Sequence, residues 1–549
     1  METAYGYLEK YVDTLDKTPG EYANHLGNIL VVYAGYGGLL SDDELTHCIH
    51  ARFELNKKAV AKPNVIFHTV PNYFKKVRVG LISYDFRYHS VGKFISSLYK
   101  YRSKNDEVEV YSYYTYAHLE DEITAIVKAE SDMFRNVGGL SDTEIEKIIL
   151  EDKLDILVDL GGHTLGTKVF AMAKRFAPVQ ASWIGFPMST YVPNMDYLIG
   201  DYYINPPDDT TEEFMVEKVA RMKPCYMCFV TKMEFEKADE PPCVKNRYVT
   251  FGNMSNPQKW SPKSLNLWKR VLDTVPNSKL LLRFNGANDE NEVFMEKFNE
   301  RLIRHGFDLD RVIIGKDRGQ DGYYRTYDTI DIMLDTTPLS AWTTMVESMT
   351  MGVPTVTYKS KQMQGRAWTF LVQVGLSDLG GDTDEEYVRI ASELANDVDR
   401  LKYLKKNLRQ MAFDSPLFDE KIFRAAFENT MRQIYVHYCL EHKKPFDAGY
   451  YGRKSADKIL RDCLRAAGVI EYLMSENEPS ENIKLLAKEL VEMVKILAER
   501  LIDAYETDTN ALAVIQQIIH AAGLLKQAQS SEEILAIAKV INKLTENFD

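Results

Sequence analysis

The chain is predicted to be an α/β protein built from two successive domains of mostly parallel sheet that face a cleft, with helices at both ends. Three observations predict this. Apolar strands alternate with amphipathic helices from Lys76 to about residue 201, the same alternation begins again at Arg247, and the pattern turns almost wholly helical after 383. Strands separated by helices are the mark of crossover units in a parallel sheet. A length of 549 residues is too great for one ordinary domain and fits this division.

The elements follow in order. Residues 1–75 read as a helical segment, with Leu39–Leu45 offering a helix start rich in acidic residues. The first domain is expected over 76–240. VRVGLISY (77–84) is a β-branched strand, FISSLYKYRS a helix, and VEVYSYYTY (108–116) a strand. Helices are expected near 118–130 and 141–151, then the strand LDILVDLGG (154–162), a short helix FAMAKRFAP (170–178), and the strands VQASWIG (179–185) and MDYLIGD (195–201). Residues 202–245 look irregular, punctuated by Pro206, Pro207, Pro224, Pro241 and Pro242.

The second domain is expected over 241–385. RYVTFGNM (247–254) is a strand, and SPKSLNLWKRVLDTVP places a serine cap before a proline at the first helical position. SKLLLRF (278–284), RVIIG (311–315), DIMLD (331–335) and TVTY (355–358) are further strands. A helical extension of these two domains (386–450) and a C-terminal helical bundle (451–549) complete the chain, with a linker at Pro445–Gly452.

The totals exclude several function classes. Sixty-seven Lys and Arg against 80 Asp and Glu leave a net charge of -13, a poor balance for a nonspecific nucleic-acid binder. No uninterrupted apolar segment approaches the ~20 residues of a membrane span. The start METAYGYLEKYVDTLDK lacks the basic flank and apolar core of a secretory signal, so a cytoplasmic protein is expected. Six scattered cysteines make no disulfide framework. Cys225, Cys228 and Cys243 could supply three thiolates, but no fourth ligand is placed near them, and they read as buried thiols rather than a zinc site.

Candidate chemistry lies in the loops that follow strands. In open α/β sheets ligands bind at the carboxyl edge of the strands. His89 ends the loop Asp85–His89 and His163 lies in Gly161–Thr164. Each can move a proton or donate a hydrogen bond, or simply cap local structure. Asn253, Asn256 and Lys259 follow the strand at 247–252. The lysine either faces a diphosphate or is merely solvated. Trp342, Thr343 and Thr344 stand at the mouth of the helix within Leu334–Thr357, where backbone and hydroxyl donors could grip an anion. Glu347 has two readings: partner of Thr344 in a capping box, or acceptor for a ribose.

These residues carry a resemblance. SYDFRYH at 83–89, GGHT at 161–164, APVQASWIGFP at 177–187, MDYLIGD at 195–201, the run 250–284, LDT at 334–336, WTTMVESMTMGVPTVT at 342–357 and SPLFD at 415–419 come in order. Together they resemble the catalytic region of the O-linked N-acetylglucosamine transferase family, most of all its Spindly branch, over roughly residues 75–435.

The resemblance implies a GT-B fold and metal-independent, inverting transfer of a sugar to serine or threonine of a protein. UDP-GlcNAc is the first donor, and no cofactor is required. By the same resemblance His89 and His163 are the cleft histidines, and Lys259 contacts the donor diphosphate. Asn256 meets ribose or phosphate, and Thr343 and Thr344 hold the diphosphate. Glu347 binds ribose, a glutamate there being like the Spindly branch, while the animal enzyme has aspartate. The sequence departs from the family at Trp342, where the animal enzyme has histidine and where added bulk should alter the floor near base or phosphate. It departs again at Gln320, near a family lysine whose charge Lys316 or Arg325 would replace. Arg366 falls near a Ser-Arg pair close to the pocket.

Only about 70 helical residues stand where the family carries a long tetratricopeptide array. Acceptor recruitment is therefore expected to pass to the C-terminal helices, to a partner, or to one dedicated substrate such as a surface or flagellar protein. Two rival readings stand beside this one: another donor (GDP-fucose or UDP-glucose), or a decayed nucleotide-sugar-binding subunit.

Overall fold

The computed structural model describes residues 73–548 apart from 102–106, 117, 165, 208–213, 230–234, 285–290, 317–318, 362–364, 443–453, 476–479 and 506, together with residues 47, 50, 53 and 54. The helical segment expected over 1–75 and the linker at 445–452 lie almost wholly outside the described residues.

The first sheet holds seven parallel strands in the order β3-β2-β1-β4-β5-β6-β7. They are β1 (Val77–Ser83), β2 (Val108–Tyr114), β3 (Met133–Asn136), β4 (Ile156–Asp159), β5 (Val179–Ser182), β6 (Tyr197–Asp201) and β7 (Lys218–Met222). In β1 every residue but Arg78 is buried, as expected for a strand covered on both faces. It pairs with β2 from Val77 to Val108 and with β4 from Val79 to Ile156. The strand order therefore reverses between β1 and β4, and a crevice opens there. The crossover helices each start at a side-chain cap, and the first begins at Ser90, ahead of the FISSLYKYRS stretch expected to be helical, within which a 3-10 turn runs over Ser96–Tyr99. In α1 (Ser90–Ile95) His89 is the cap, in α2 (Glu122–Glu130) Asp121 and Thr124 form a capping box, and in α3 (Asp142–Asp152) Ser141 and Glu144 form another.

Three local expectations fail. The segment at 170–178 makes only a 3-10 turn over Ala171–Lys174, ended by Arg175 at φ 62°. Strand β3 falls between two expected helices, where no element was expected, and β7 in the region expected to be irregular. Both are sheet edges and largely half-buried, so neither shows the apolar run of an inner strand.

After the short helix α4 (Cys243–Asn246), the second sheet has six parallel strands in the order β10-β9-β8-β11-β12-β13. They are β8 (Val249–Asn253), β9 (Ser278–Arg283), β10 (Val312–Gly315), β11 (Ile332–Leu334), β12 (Thr355–Tyr358) and β13 (Gly380–Gly381). Its helices are α5 (Pro262–Thr274), α6 (Glu292–Arg304), α7 (Gly319–Thr326), α8 (Thr343–Thr350) and α9 (Trp368–Gln373). In α5 Ser261 accepts from the Ser264 amide and proline opens the helix, while Leu265, Trp268, Val271 and Leu272 face the core.

The expected boundary at 385 falls inside α10 (Asp384–Asn396), which packs on α5, β12 and β13. That helix and α11 (Val398–Phe413), packed on α8, therefore stay with the second sheet. Only α12 (Glu420–Glu441) crosses back, to lie on β1, β2, β5 and β7. Trp183, just past β5, stacks on Phe423 at 5.8 Å and Phe427 at 5.4 Å of this helix. Arg432 donates to the carbonyls of Tyr73 and Lys75 and pairs with Glu107 at 2.7 Å. Two Rossmann-like domains with a terminal helix returning to the first make a GT-B fold.

Helices α13 (Ala456–Ser475), α14 (Ser480–Ala504), α15 (Thr509–Leu525) and α16 (Ser531–Thr545) form the C-terminal bundle. It is bolted to the first domain, since Arg465 of α13 reaches Glu107 at 3.1 Å, beside Arg432. No helix among the described residues is long and apolar enough to cross a membrane.

Candidate active site

The first wall of the cleft is made by loops after β1, β4 and β5. Asp85 is buried, accepts from Arg87 Nη2 at 3.0 Å, and lies 3.4 Å from His89 Nδ1. The turn is tight because α1 presses on it: any side chain at Gly92 would strike the carbonyls of Arg87 and Asp85. His89 also accepts from the Val91 amide at 3.3 Å, so it caps α1 while 42% of its side chain stays exposed. Partial burial pulls its pKa below the ordinary value, aided by Arg87 and Lys93 and opposed by Asp85. In the neutral ring Val91 asks Nδ1 for a lone pair and Asp85 asks it for a proton. Only the Asp85-bonded tautomer leaves Nε2 basic.

His163 is enclosed. Asp159, at the end of β4, takes the Gly162 amide at 2.5 Å, and burial pushes its pKa up to about 7 against the amides of Gly162 and Gly161. Gly162 has φ +56° with the Phe186 ring where a side chain would stand, so glycine is required. The His163 ring stacks on Tyr191 at 5.6 Å, meets Phe186 edge-on at 5.2 Å, and sets Nε2 2.6 Å from the Thr190 carbonyl.

The second wall follows β8 and β11. Lys259 ends the 3-10 turn Pro257–Lys259, and its Nζ donates to the Ser340 carbonyl at 2.9 Å, just before α8. Burial pulls its pKa down to about 8, with Asp335 opposing. Asp335 is itself buried and organises the loop, accepting from Thr336 N at 2.8 Å, Ala341 N at 2.7 Å and Thr357 Oγ1 at 2.6 Å. The ammonium thus stands beside the mouth of α8, where the helix dipole also favours an anion.

Glu347 does not cap α8. Its oxygens accept from Tyr323 at 2.6 Å and Tyr324 at 3.3 Å, on α7. Burial raises its pKa, while the two tyrosines and Lys93 of α1 pull it back. Lys93 belongs to the first domain, so the His89 helix and α8 look at each other across the cleft. Neither the tyrosines, nor Asp85, Asp335 or Lys93, was a candidate on sequence grounds.

Several expected contacts are corrected by the packing. Asn253 donates to the Leu334 carbonyl and accepts from Ser255 N, Ser255 Oγ and Trp260 Nε1, so its amide braces the second domain instead of facing a ligand. Trp342 has φ +32° and sends its ring between Tyr226 at 6.1 Å and Phe370 at 5.5 Å, so the added bulk packs among core side chains. The Thr344 amide bonds the Ala341 carbonyl at 2.9 Å, which leaves Thr343 at the opening of the helix and the hydroxyls of both threonines as the donors there.

Asn256 is exposed and accepts from Gln258 N at 3.0 Å. Lys316 is exposed just past β10, the far edge strand, and Arg366 is buried immediately before α9. The thiols of Cys225, Cys228 and Cys243 are buried, and burial raises all three pKa values. No group of three or more metal-ligating side chains occurs among the described residues. A separate groove of about 850 Å³ between α5 and α10 lies outside the cleft, and its Arg270 and Arg389 are already paired with Glu385 and Glu393.

Comparison with known proteins agrees with this fold. A solved Thermobaculum terrenum O-GlcNAc transferase mutant superposes with a TM-score of 0.69 and 27% identity, covering 80% of this chain and 83% of that one. The probable UDP-N-acetylglucosamine–peptide N-acetylglucosaminyltransferase SPINDLY of Arabidopsis thaliana is 33% identical over 381 residues, 66% of this chain and 40% of that protein. SPINDLY of Oryza sativa is 33% identical over 388 residues, 70% of this chain and 40% of its own length. The chain therefore spans about 40% of the curated relatives it matches. The profile of glycosyl transferase family 41 matches residues 46–247 and 242–427. With the family's fold and a match over most of its length, the chain belongs to glycosyl transferase family 41.

Proposed function

We propose that the chain transfers a sugar, with inversion and without a required metal, from a nucleoside diphosphate sugar to serine or threonine of a protein acceptor. UDP-GlcNAc is the donor to test first, in line with the names of the plant relatives. The observation that carries the reading is the Lys259 ammonium, sunk beside the mouth of α8. In the displacement a bond forms between the acceptor oxygen and the anomeric carbon while the bond from that carbon to the phosphate oxygen breaks. The hydroxyl proton goes to a base, for which the Asp85-bonded tautomer of His89 supplies Nε2. Negative charge grows on the departing diphosphate, where Lys259, Thr343 and the helix dipole act. The acceptor is a protein met in the cytoplasm, and the C-terminal bundle is a surface that could recruit it.

Titrating UDP, GDP and TDP sugars while following nucleotide release, with mass spectrometry of coexpressed proteins, tests this directly. Release and a hexosamine-sized mass on Ser or Thr support the reading. Release from a GDP sugar moves the donor, and failure to bind any nucleotide sugar removes the enzyme. A further expectation concerns Glu347. Its replacement by alanine should weaken donor binding by about 10-fold, the loss of one charge-assisted hydrogen bond, with a smaller effect on kcat. Calorimetry with the free nucleotide checks it; unchanged affinity removes Glu347 from the donor site.

A further inference from the structure

His163 is held by a chain of contacts that begins outside the cleft loops. Glu217 stands one residue before β7 and is buried, 6% exposed. Both of its oxygens serve one turn. Oε1 accepts from the Thr190 amide at 2.8 Å and the Thr190 hydroxyl at 2.5 Å, and Oε2 accepts from the Ser189 hydroxyl at 2.7 Å. None of these donors carries a charge, so a carboxylate has been taken out of water to hold a turn by neutral hydrogen bonds, which is costly. The product of that turn is the Thr190 carbonyl, placed 2.6 Å from His163 Nε2. A carbonyl can only accept, so Nε2 carries the ring proton and any proton the neutral ring takes up goes to Nδ1. The next residue, Tyr191, lies 15° from parallel with the same ring. One turn thus sets both the tautomer and the plane of the imidazole.

We infer that Glu217 is a positioning residue for His163, acting through the Ser189–Thr190 turn to hold the imidazole as the Nε2–H tautomer. The kinetic part of this inference rests on the transfer reaction proposed above; the tautomer part does not. The test uses the full chain labelled with ¹⁵N-histidine, His163 being assigned among the 11 histidines by its loss in a His163→Asn variant. Two-bond ¹⁵N–¹H correlations should show Nε2 protonated in the wild type and a mixed or inverted pattern in Glu217→Ala. Glu217→Gln should keep the wild-type pattern, because its amide oxygen can still accept from Thr190 while its NH₂ faces the Ser189 oxygen. In transfer assays Glu217→Ala should lower kcat by roughly 10- to 100-fold, the scale of a small misplacement in the cleft wall that carries His163, with donor KM unchanged and Glu217→Gln close to wild type.

If Glu217→Ala does not fold, Thr190→Val carries the same spectral readout, since it removes one donor to Glu217 and keeps the carbonyl. An unaltered His163 pattern in the variant that folds overturns the inference, as does an equal loss of kcat in Glu217→Ala and Glu217→Gln. A chain that transfers no sugar yet shows the Glu217-dependent pattern overturns the proposed function and leaves the positioning role standing.

Discussion

Replacing Lys259 with alanine should lower kcat by roughly 100-fold or more, the scale seen when one donor to a developing oxyanion is removed. The reason is local. The ammonium is held by the Ser340 carbonyl, and Asp335 is the charge that opposes its loss of a proton. A donor diphosphate at the mouth of α8 would meet this group as the bond to the sugar breaks, so the lost interaction belongs mainly to the transition state. Because it belongs there, kcat should fall more than donor KM rises. The fold should survive, since alanine removes a charge that burial disfavours and leaves the Asp335 hydrogen bonds intact. Single-turnover kinetics beside a denaturation curve check both halves. Near-wild-type turnover in a folded variant would remove Lys259 from the chemistry.

The same lysine gives a pH signature. Its pKa is lowered from 10.5 to about 8 by burial. In the free protein the ammonium is lost as pH rises through about 8, so kcat/KM should fall above that value. Bound diphosphate favours the charged form and raises the pKa again, so the alkaline limb of kcat should lie at higher pH. Stability moves the other way. Between about 8 and 10.5 the unfolded chain binds the proton and the folded chain does not, so this group makes the fold more stable as pH rises through that window. Residual activity of the alanine variant should lack the limb near 8. A limb that persists there belongs to another group.

What could be read from sequence follows how each residue reports its surroundings. Inner strands such as β1 and β4 are mostly apolar because both faces are covered, and their loops could be named from them. The edge strands β3 and β7 carry polar residues and were invisible for that reason. Position after a strand brought Lys259 and Glu347 into view, but the same rule brought in Asn253 and Trp342. Whether such a side chain turns to the cleft or to the core is decided by distant partners: Leu334 and Trp260 for the asparagine, Tyr226 and Phe370 for the tryptophan. Tyr323 and Tyr324 sit in a stretch that carries no motif, and only the approach of α7 to α8 makes them partners of Glu347. Helix α10 carries a helical period that says nothing about which domain it joins; its contacts with β12 and β13 decide that.

The largest loss of stability should come from Trp183→Ala. Trp183 is 1% exposed and joins three pieces that set how the domains sit. It follows β5 of the first sheet, stacks on Phe423 and Phe427 of the returning helix α12, and donates from Nε1 to the Tyr226 carbonyl at 3.1 Å. Tyr226 in turn packs edge-on against Trp342 at the entrance to α8. Truncation leaves a cavity between two phenylalanines and a buried carbonyl without its donor, at a cost of about 3–5 kcal/mol. The damage should be directional. Amide exchange should speed first in α12 and around Tyr226, while β8, β11 and β12, which share none of these contacts, keep their protection. Turnover should fall with it, because the wall bearing His89 and the wall bearing Lys259 are held in register partly through this residue. Trp183→Phe, which keeps the stacking and loses only the hydrogen bond, should cost about 1–2 kcal/mol. If the alanine variant unfolds at the wild-type denaturant concentration, α12 is held to the first domain by other contacts and the coupling of the two walls through Trp183 is wrong.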